Sequence, residues 1–166
     1  MLSIVYQNLF ISQKNYRLAV FKKKNILVSL NHLKQNIIMT NVELVKQAYA
    51  DFATGNVPGV LAIFDPAIEW HESSGMPYVK DEGIYTGAEA IITNVFMPLP
   101  VYFDGFKIVI NELIGADDKV VMAGHYEGTN KATGNSFKAN AAHVWTFKNG
   151  KLTHFFQVAD TATVNS

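Results

Sequence analysis

The chain has 166 residues, 49% hydrophobic and 17% charged, enough for one domain with a real core. Its formal net charge is zero and it holds no cysteine, so disulfides, thiolate metal sites and cysteine nucleophiles are excluded. No apolar run approaches the roughly 18 residues of a membrane span, and a cytoplasmic protein is expected.

The charge is unevenly spread. Residues 1–42 carry six basic side chains (Lys14, Arg17, Lys22, Lys23, Lys24 and Lys34) and no acid, the first acid being Glu43. The remainder sets eight basic against fourteen acidic residues, a poor composition for binding a phosphate backbone. Lys22-Lys23-Lys24 before Ile26-Leu27-Val28 faintly resembles a signal peptide, but Asn31, His32 and Lys34 break the apolar run. A transit peptide would favour Arg over Lys, and a basic strip could bind an acidic surface. The simplest expectation is that residues 1–38 are an upstream in-frame extension and the domain occupies 39–166. Thr40 and Glu43 make a capping-box pair directly after Met39.

From there the periodicities are clear. Val45, Ala48, Tyr49 and Phe52 recur at helical spacing, and Gly55 ends that helix. Pro58 opens a short second helix through Leu61 and Phe64, stopped at Asp65-Pro66. Ile68 to Glu72 reads as a strand with Ile68, Trp70 and Glu72 on one face, and residues 73–85 as a long loop. A third helix is expected from about Gly87 to Met97, capped by Thr86 with Glu89 three residues on and ended by Pro98 and Pro100. Strands follow at about 102–114, 119–128 and 136–147, and then a hairpin around Asn149-Gly150. Helices first and an antiparallel run of strands afterwards indicate an α+β fold, with helices covering one face of a curved sheet.

The hairpin register decides which side chains share a face, because a one-residue slip reverses them all. A two-residue turn pairs Lys148 with Lys151. A three-residue loop with Gly150 in the left-handed position pairs Phe147 with Lys151, and it collects Trp145, Phe147 and Phe155 on one face. The three-residue loop is therefore expected. Two polar side chains, His143 and Gln157, fall on that same apolar face, and a polar group there is the informative exception.

Over residues about 40–164 the chain resembles the SnoaL-like, ketosteroid-isomerase-related branch of the nuclear transport factor 2-like superfamily. The matching pieces are Tyr49-x-x-Phe52, Glu69-Trp-His-Glu72, Gly83-Ile-Tyr-Thr-Gly87, Gly124-His-Tyr-Glu-Gly-Thr129, Ala132-Thr-Gly134, Ala142-His-Val-Trp145, Gly150-Lys-Leu152 and Asp160-Thr161. The resemblance implies a cone, in which a curved antiparallel sheet wraps about three N-terminal helices and encloses an apolar pocket. Members include isomerases, dehydratases, cyclases, epoxide hydrolases and non-catalytic binding modules, so the fold leaves function open.

His143 is similar in position to a pocket histidine of SnoaL-type cyclases, which implies a general base or hydrogen-bond donor; the alternative is a core histidine bonded to a neighbour. Gln157 departs from the pattern. The cyclase relatives carry an acid/base aspartate fourteen places after that histidine, and an amide can only orient a ligand. Strand phase makes Glu72 the remaining inward carboxylate, a base if buried against Trp70, or otherwise a solvated strand-end residue. The related ketosteroid isomerases set a carboxylate base opposite hydrogen-bond donors. Trp70, Tyr85, Tyr126 and Trp145 form an aromatic set that either contacts substrate or is plain core. Phase turns Tyr126 inward, and His125 and His154 outward.

Asp160 is expected to bond nearby backbone amides. His154 and Phe156 make an outer patch, the face through which family members commonly dimerise. The histidines show no metal-ligand spacing, and neither a phosphate-binding loop nor a nucleic-acid stripe is present. The expectation is a cofactor-independent isomerase or lyase acting on a small, apolar, oxygen-bearing molecule, with His143 or Glu72 as base and Tyr126 and Gln157 holding the oxygen. A non-catalytic binding or dimerisation module is the alternative.

Overall fold

Thr40 sets the start of the first helix in the computed structural model, which describes residues 39–166; the basic segment 1–38 lies outside the described residues. The Thr40 hydroxyl accepts from Glu43 N while the Glu43 carboxylate accepts from Thr40 N, closing the capping box on α1 (Asn41–Ala53). The inner face of α1 is Val45, Ala48 and Tyr49. Asn56 caps α2 (Val57–Leu61).

Phe64, expected in that second helix, instead opens β1 (Phe64–His71). Asp65-Pro66 therefore lies inside a strand rather than stopping a helix. The proline is tolerated because the pairing of β1 is irregular between Phe64 and Glu69, so no ladder donor is needed there.

Within the expected loop, β2 (Ile84–Thr86) returns to pair with β1. Thr86 is thus committed to the ladder opposite Glu69 and does not cap the next helix; Gly87 takes that position at φ 81° without a side-chain bond. The expected single helix is broken into α3 (Ala88–Ile91), a π-helical segment (Ile92–Phe96) and α4 (Leu99–Tyr102). Pro98 and Pro100 sit at the start of α4, where a missing N–H costs nothing, so they begin a turn rather than only ending one.

The remaining strands are β3 (Phe103–Ala116), β4 (Lys119–Asn130), β5 (Ser136–Lys148) and β6 (Lys151–Ala159), followed by the short α5 (Thr161–Val164). Asp160 caps α5, its carboxylate accepting from Thr163 N at 3.1 Å and the Thr163 hydroxyl at 2.6 Å. The sheet order is β2-β1-β6-β5-β4-β3. The run from β3 to β6 is antiparallel, as the resemblance implies, but β1 joins β6 in parallel, so the sheet is mixed. Helices cover its inner face, giving the α+β cone. No described helix is long and apolar enough to cross a membrane.

The β5–β6 hairpin corrects the expected loop. Lys148 pairs with Lys151 across a two-residue turn, with Asn149 at φ 53° and Gly150 at φ 74°, the pair of left-handed residues that this turn demands. The register then shifts between Thr146 and Phe147: Phe147 faces Leu152 but Thr146 faces His154, leaving Thr153 as a bulge. Before the bulge Leu152 points inward; after it Phe155 and Gln157 do. His143 therefore lies directly opposite Gln157. The shared face was expected correctly, but a turn plus a bulge produces it, not a longer loop.

Candidate functional site

The inner face of the sheet carries a bed of aromatic rings. Trp70 and Phe155 are adjacent on the paired strands β1 and β6, and their rings stack with centroids 3.7 Å apart. Trp145 meets both edge-on. Above this bed is a cavity closed by α1, the 73–83 loop and the π-helical segment, with Tyr49, Tyr78 and Phe96 in its wall. The free space within it is about 40 Å3.

Six polar side chains meet in this apolar space: Tyr49 from α1, Tyr78 from the 73–83 loop, and Glu72, Tyr126, His143 and Gln157 from the strands and the end of β1. Glu72 comes one residue after β1, where its N–H bonds Gly83 O at 2.9 Å. Ser73 then ties this end of β1 to β6: its hydroxyl donates to Gln157 O at 3.1 Å and accepts from Ala159 N at 2.9 Å. Glu72 is thereby held beside Gln157, at 6% exposure rather than in solvent. Its carboxylate accepts from Trp70 Nε1 at 2.6 Å, Tyr78 Oη at 3.1 Å and Gln157 Nε2 at 2.8 Å. Burial pushes its pKa up, and the three donors hold it back.

The hydrogen positions follow from that carboxylate. Turning the Gln157 amide over would set its oxygen against Glu72, so Nε2 faces Glu72 and Oε1 faces Tyr126. Tyr126 has one hydroxyl hydrogen and gives it to Gln157 Oε1 at 2.7 Å. The bond between Tyr126 Oη and His143 Nε2 must then be donated by the histidine. Burial lowers the His143 pKa to about 3, so the ring is neutral and Nδ1 is bare. Tyr49 Oη donates to Nδ1 at 2.6 Å and accepts from Trp145 Nε1 at 3.0 Å. One directed chain runs Trp145, Tyr49, His143, Tyr126, Gln157, Glu72. The tyrosines stay protonated, because burial raises the pKa of Tyr49, Tyr78 and Tyr126.

The cavity wall thus collects Trp70, Glu72, Tyr126, His143, Trp145 and Gln157 from the sequence-derived set. Tyr85 is not part of it. It pairs opposite Trp70 on β2, and its buried hydroxyl has no hydrogen-bond partner among the described residues. His143 does not fit the part of a free base, since both its nitrogens are engaged and its basicity is depressed. His125, assigned to the outer face, is nevertheless buried, with Nε2 3.1 Å from Glu127.

Sequence reasoning missed Tyr49 and Tyr78 as site residues. Tyr49 carried a usable signal, a polar tip on the apolar face of α1. Tyr78 carried little: Met76 and Tyr78 are two apolar residues within a Gly- and Pro-containing loop, yet both are buried.

Comparison with known proteins agrees with this architecture. The model of the SnoaL-like domain matches residues 45–155. An NTF2-like protein from Burkholderia thailandensis E264 is 37% identical, with 77% of this chain and 96% of that one covered and a TM-score of 0.72. TerC, co-crystallized with polyporic acid, is 26% identical over 75% of this chain and 95% of its own, with a TM-score of 0.67. A protein with a ketosteroid isomerase-like fold from Catenulispora acidiphila DSM 44928, in complex with trimethylamine, shares the fold alone: 17% identity, 76% and 91% covered, TM-score 0.63. No curated protein matches. A family match across most of the chain, and a solved relative aligned over nearly its full length, place this chain in the SnoaL-like domain family.

Proposed function

We propose that the cavity binds a small, largely apolar, oxygen-bearing organic molecule and moves a proton on it without a cofactor, as an isomerase acting next to a carbonyl or as a dehydratase-type lyase. The observation that supports this most is the meeting of Glu72 and Gln157 in an apolar cavity. Glu72 is the base: burial raises its pKa toward the range in which a carboxylate can take and return a proton at neutral pH. It accepts the proton from the carbon next to the carbonyl as the bonding pair moves onto oxygen. The resulting acid returns the proton to another carbon, or delivers it to a departing hydroxyl.

The second N–H of Gln157 meets the oxygen. Tyr126, bonded to the Gln157 carbonyl, polarises that amide, and His143 supports Tyr126 as a positioning residue rather than a base. TerC, which shares the fold, was co-crystallized with an organic compound, consistent with ligand binding in such a cavity.

Deuterium uptake from D2O beside the carbonyl of 2-tetralone, followed by NMR, tests the chemistry. The intact protein should accelerate uptake, and Glu72→Gln should lower the rate by about 10²-fold or more. Uptake unchanged in that variant would remove Glu72 from the mechanism. A second reading, a non-catalytic binding module, is favoured by an amide standing where the cyclase relatives carry an acid/base aspartate. It prevails if ligands bind and no exchange occurs.

We further propose that two copies pair through the outer sheet face. One ladder row runs Ile84, His71, Phe156, Val144, Val121, Ile114 across all six strands, with Ile84, Phe156 and Ile114 about half exposed. His154 flanks this row and is exposed. A row that is apolar except for His71 suits an isologous contact.

A further inference from the structure

We propose that the cavity also takes small organic ammonium ions, paired with the Glu72 carboxylate and enclosed by the surrounding aromatic rings. This rests on the small-molecule reading above only for the cavity being a binding site, and not on proton transfer there.

The charge of the cavity wall points to a cation. Among the described residues that line it, Glu72 is the one acid, and none is a lysine or arginine. The other titratable groups in the wall are neutral at pH 7. Tyr49 on α1, Tyr78 on the 73–83 loop and Tyr126 on β4 keep their protons because burial raises their pKa. Burial likewise holds His143 on β5 in its neutral form. The ion pairs among the described residues are His71–Glu69, His125–Glu127 and Lys131–Asp104, and none involves Glu72. A buried carboxylate with neutral partners alone is costly to ionise. A bound cation offsets that cost, because opposite charges attract strongly in an enclosure of low dielectric. A neutral guest leaves the cost in place, and an anion adds to it.

The bonds of Glu72 leave an approach. Oε2 accepts from both Tyr78 and Gln157, but Oε1 accepts only from Trp70. Oε1 therefore keeps a lone pair for the N–H of an ammonium group.

The rings decide which kind of cation fits. Nine of the seventeen lining residues are Phe, Tyr or Trp, so alkyl groups on the nitrogen meet aromatic carbon on most sides. The ring planes cross steeply: Trp145 and Phe96 lie at 77° and 85° to Trp70, and Tyr49 at 75° to Trp145. Aromatic walls set at such angles beside a carboxylate suit an alkylammonium ion, which the negative faces of the rings attract. They suit a metal ion poorly, since it needs several oxygen or nitrogen ligands. No group of three His, Asp or Glu among the described residues could hold one.

Calorimetry on the whole chain at pH 7 and one ionic strength, with trimethylammonium, tert-butanol, pivalate and 2-tetralone, tests the inference. Trimethylammonium should bind about tenfold or more tightly than tert-butanol, its neutral counterpart in shape, and than pivalate. In Glu72→Gln its affinity should fall about tenfold or more, while that of tert-butanol stays within about threefold. In the unaltered protein its methyl protons should show nuclear Overhauser contacts to the rings of Trp70 and Trp145. Equal binding of tert-butanol overturns the preference for a cation, and so does binding of 2-tetralone without trimethylammonium; both leave a small-molecule pocket standing. Trimethylammonium that makes no contact with those rings, or binds Glu72→Gln undiminished, sits elsewhere and overturns it too. A panel in which nothing binds overturns the pocket reading as well. If Glu72→Gln fails to fold, the ranking and the ring contacts in the unaltered protein decide.

Discussion

Glu72 Oε2 accepts a hydrogen bond from Gln157 Nε2 at 2.8 Å, across 85 residues of sequence. That contact joins the end of β1 to β6, and it sets every hydrogen position upstream of it. The carboxylate orients the amide, the amide takes the Tyr126 proton, and His143 is left to donate from Nε2.

Placing a second carboxylate at this contact should be costly. In Gln157→Glu two acids would share one buried site, and they cannot both ionise at short range. Urea unfolding at pH 7.5 should show a loss of about 3 kcal/mol relative to the unaltered protein. At pH 5, where the pair can hold one proton between its oxygens, the gap should narrow. An equal gap at both values would mean that the two side chains do not meet.

Removing the hydroxyl at the other end of the chain tests its direction. Tyr49→Phe leaves Trp145 N–H and His143 Nδ1 without partners inside the fold. The expected cost is about 2–3 kcal/mol by denaturant titration. In the unaltered protein the imidazole nitrogen shifts should report a proton on Nε2 alone. A proton on Nδ1 would reverse the assignment.

Acid should weaken the domain partly through His143. Its folded pKa is about 3, against an ordinary value of 6.5, so the folded state favours the neutral ring. This contribution is complete above pH 6.5 and is lost as pH falls from there toward 3, on the order of 5 kcal/mol in all. Glu72 acts with the opposite sign. Its raised pKa means that the ionised form is disfavoured in the fold, and protonation on acidification relieves that. Comparing unfolding at pH 7 and pH 4 in the unaltered protein and in His143→Gln isolates the histidine, and the variant should show the shallower loss.

The outer face predicts an oligomer. Sedimentation velocity should give a dimer that Phe156→Glu converts to a monomer, because the glutamate would stand at a residue now half exposed within an apolar row. The same variant should leave ligand binding unchanged, since Phe156 lies on the face away from the cavity. A monomeric unaltered protein would remove the pairing surface.

Much of this was legible in strand phase. Alternation alone turned Trp70, Glu72, Tyr126, His143, Trp145 and Gln157 inward, because a half-buried strand must separate its two faces. The hairpin shows the limit of that reading. Two registers differing by two residues put the same side chains on the same face, so phase could not distinguish a three-residue loop from a two-residue turn plus the Thr153 bulge. Tyr78 was illegible because its burial depends on a loop returning to Gly83, and Tyr85 was misjudged because facing inward is not the same as reaching the cavity. The direction of the hydrogen-bond chain needs six side chains from α1, the end of β1 and strands β4 to β6, and no local pattern encodes it.

The sheet order has a consequence for synthesis on the ribosome. The last strand, β6, lies in the middle, between β1 and β5. Until β6 (Lys151–Ala159) emerges, β1 with β2 and the β3–β5 meander are two separate pieces, each with an open edge. The cavity has no floor in that interval and Glu72 has no amide beside it. A chain cut short by one strand would therefore lose the joint of its sheet rather than a trim from its rim.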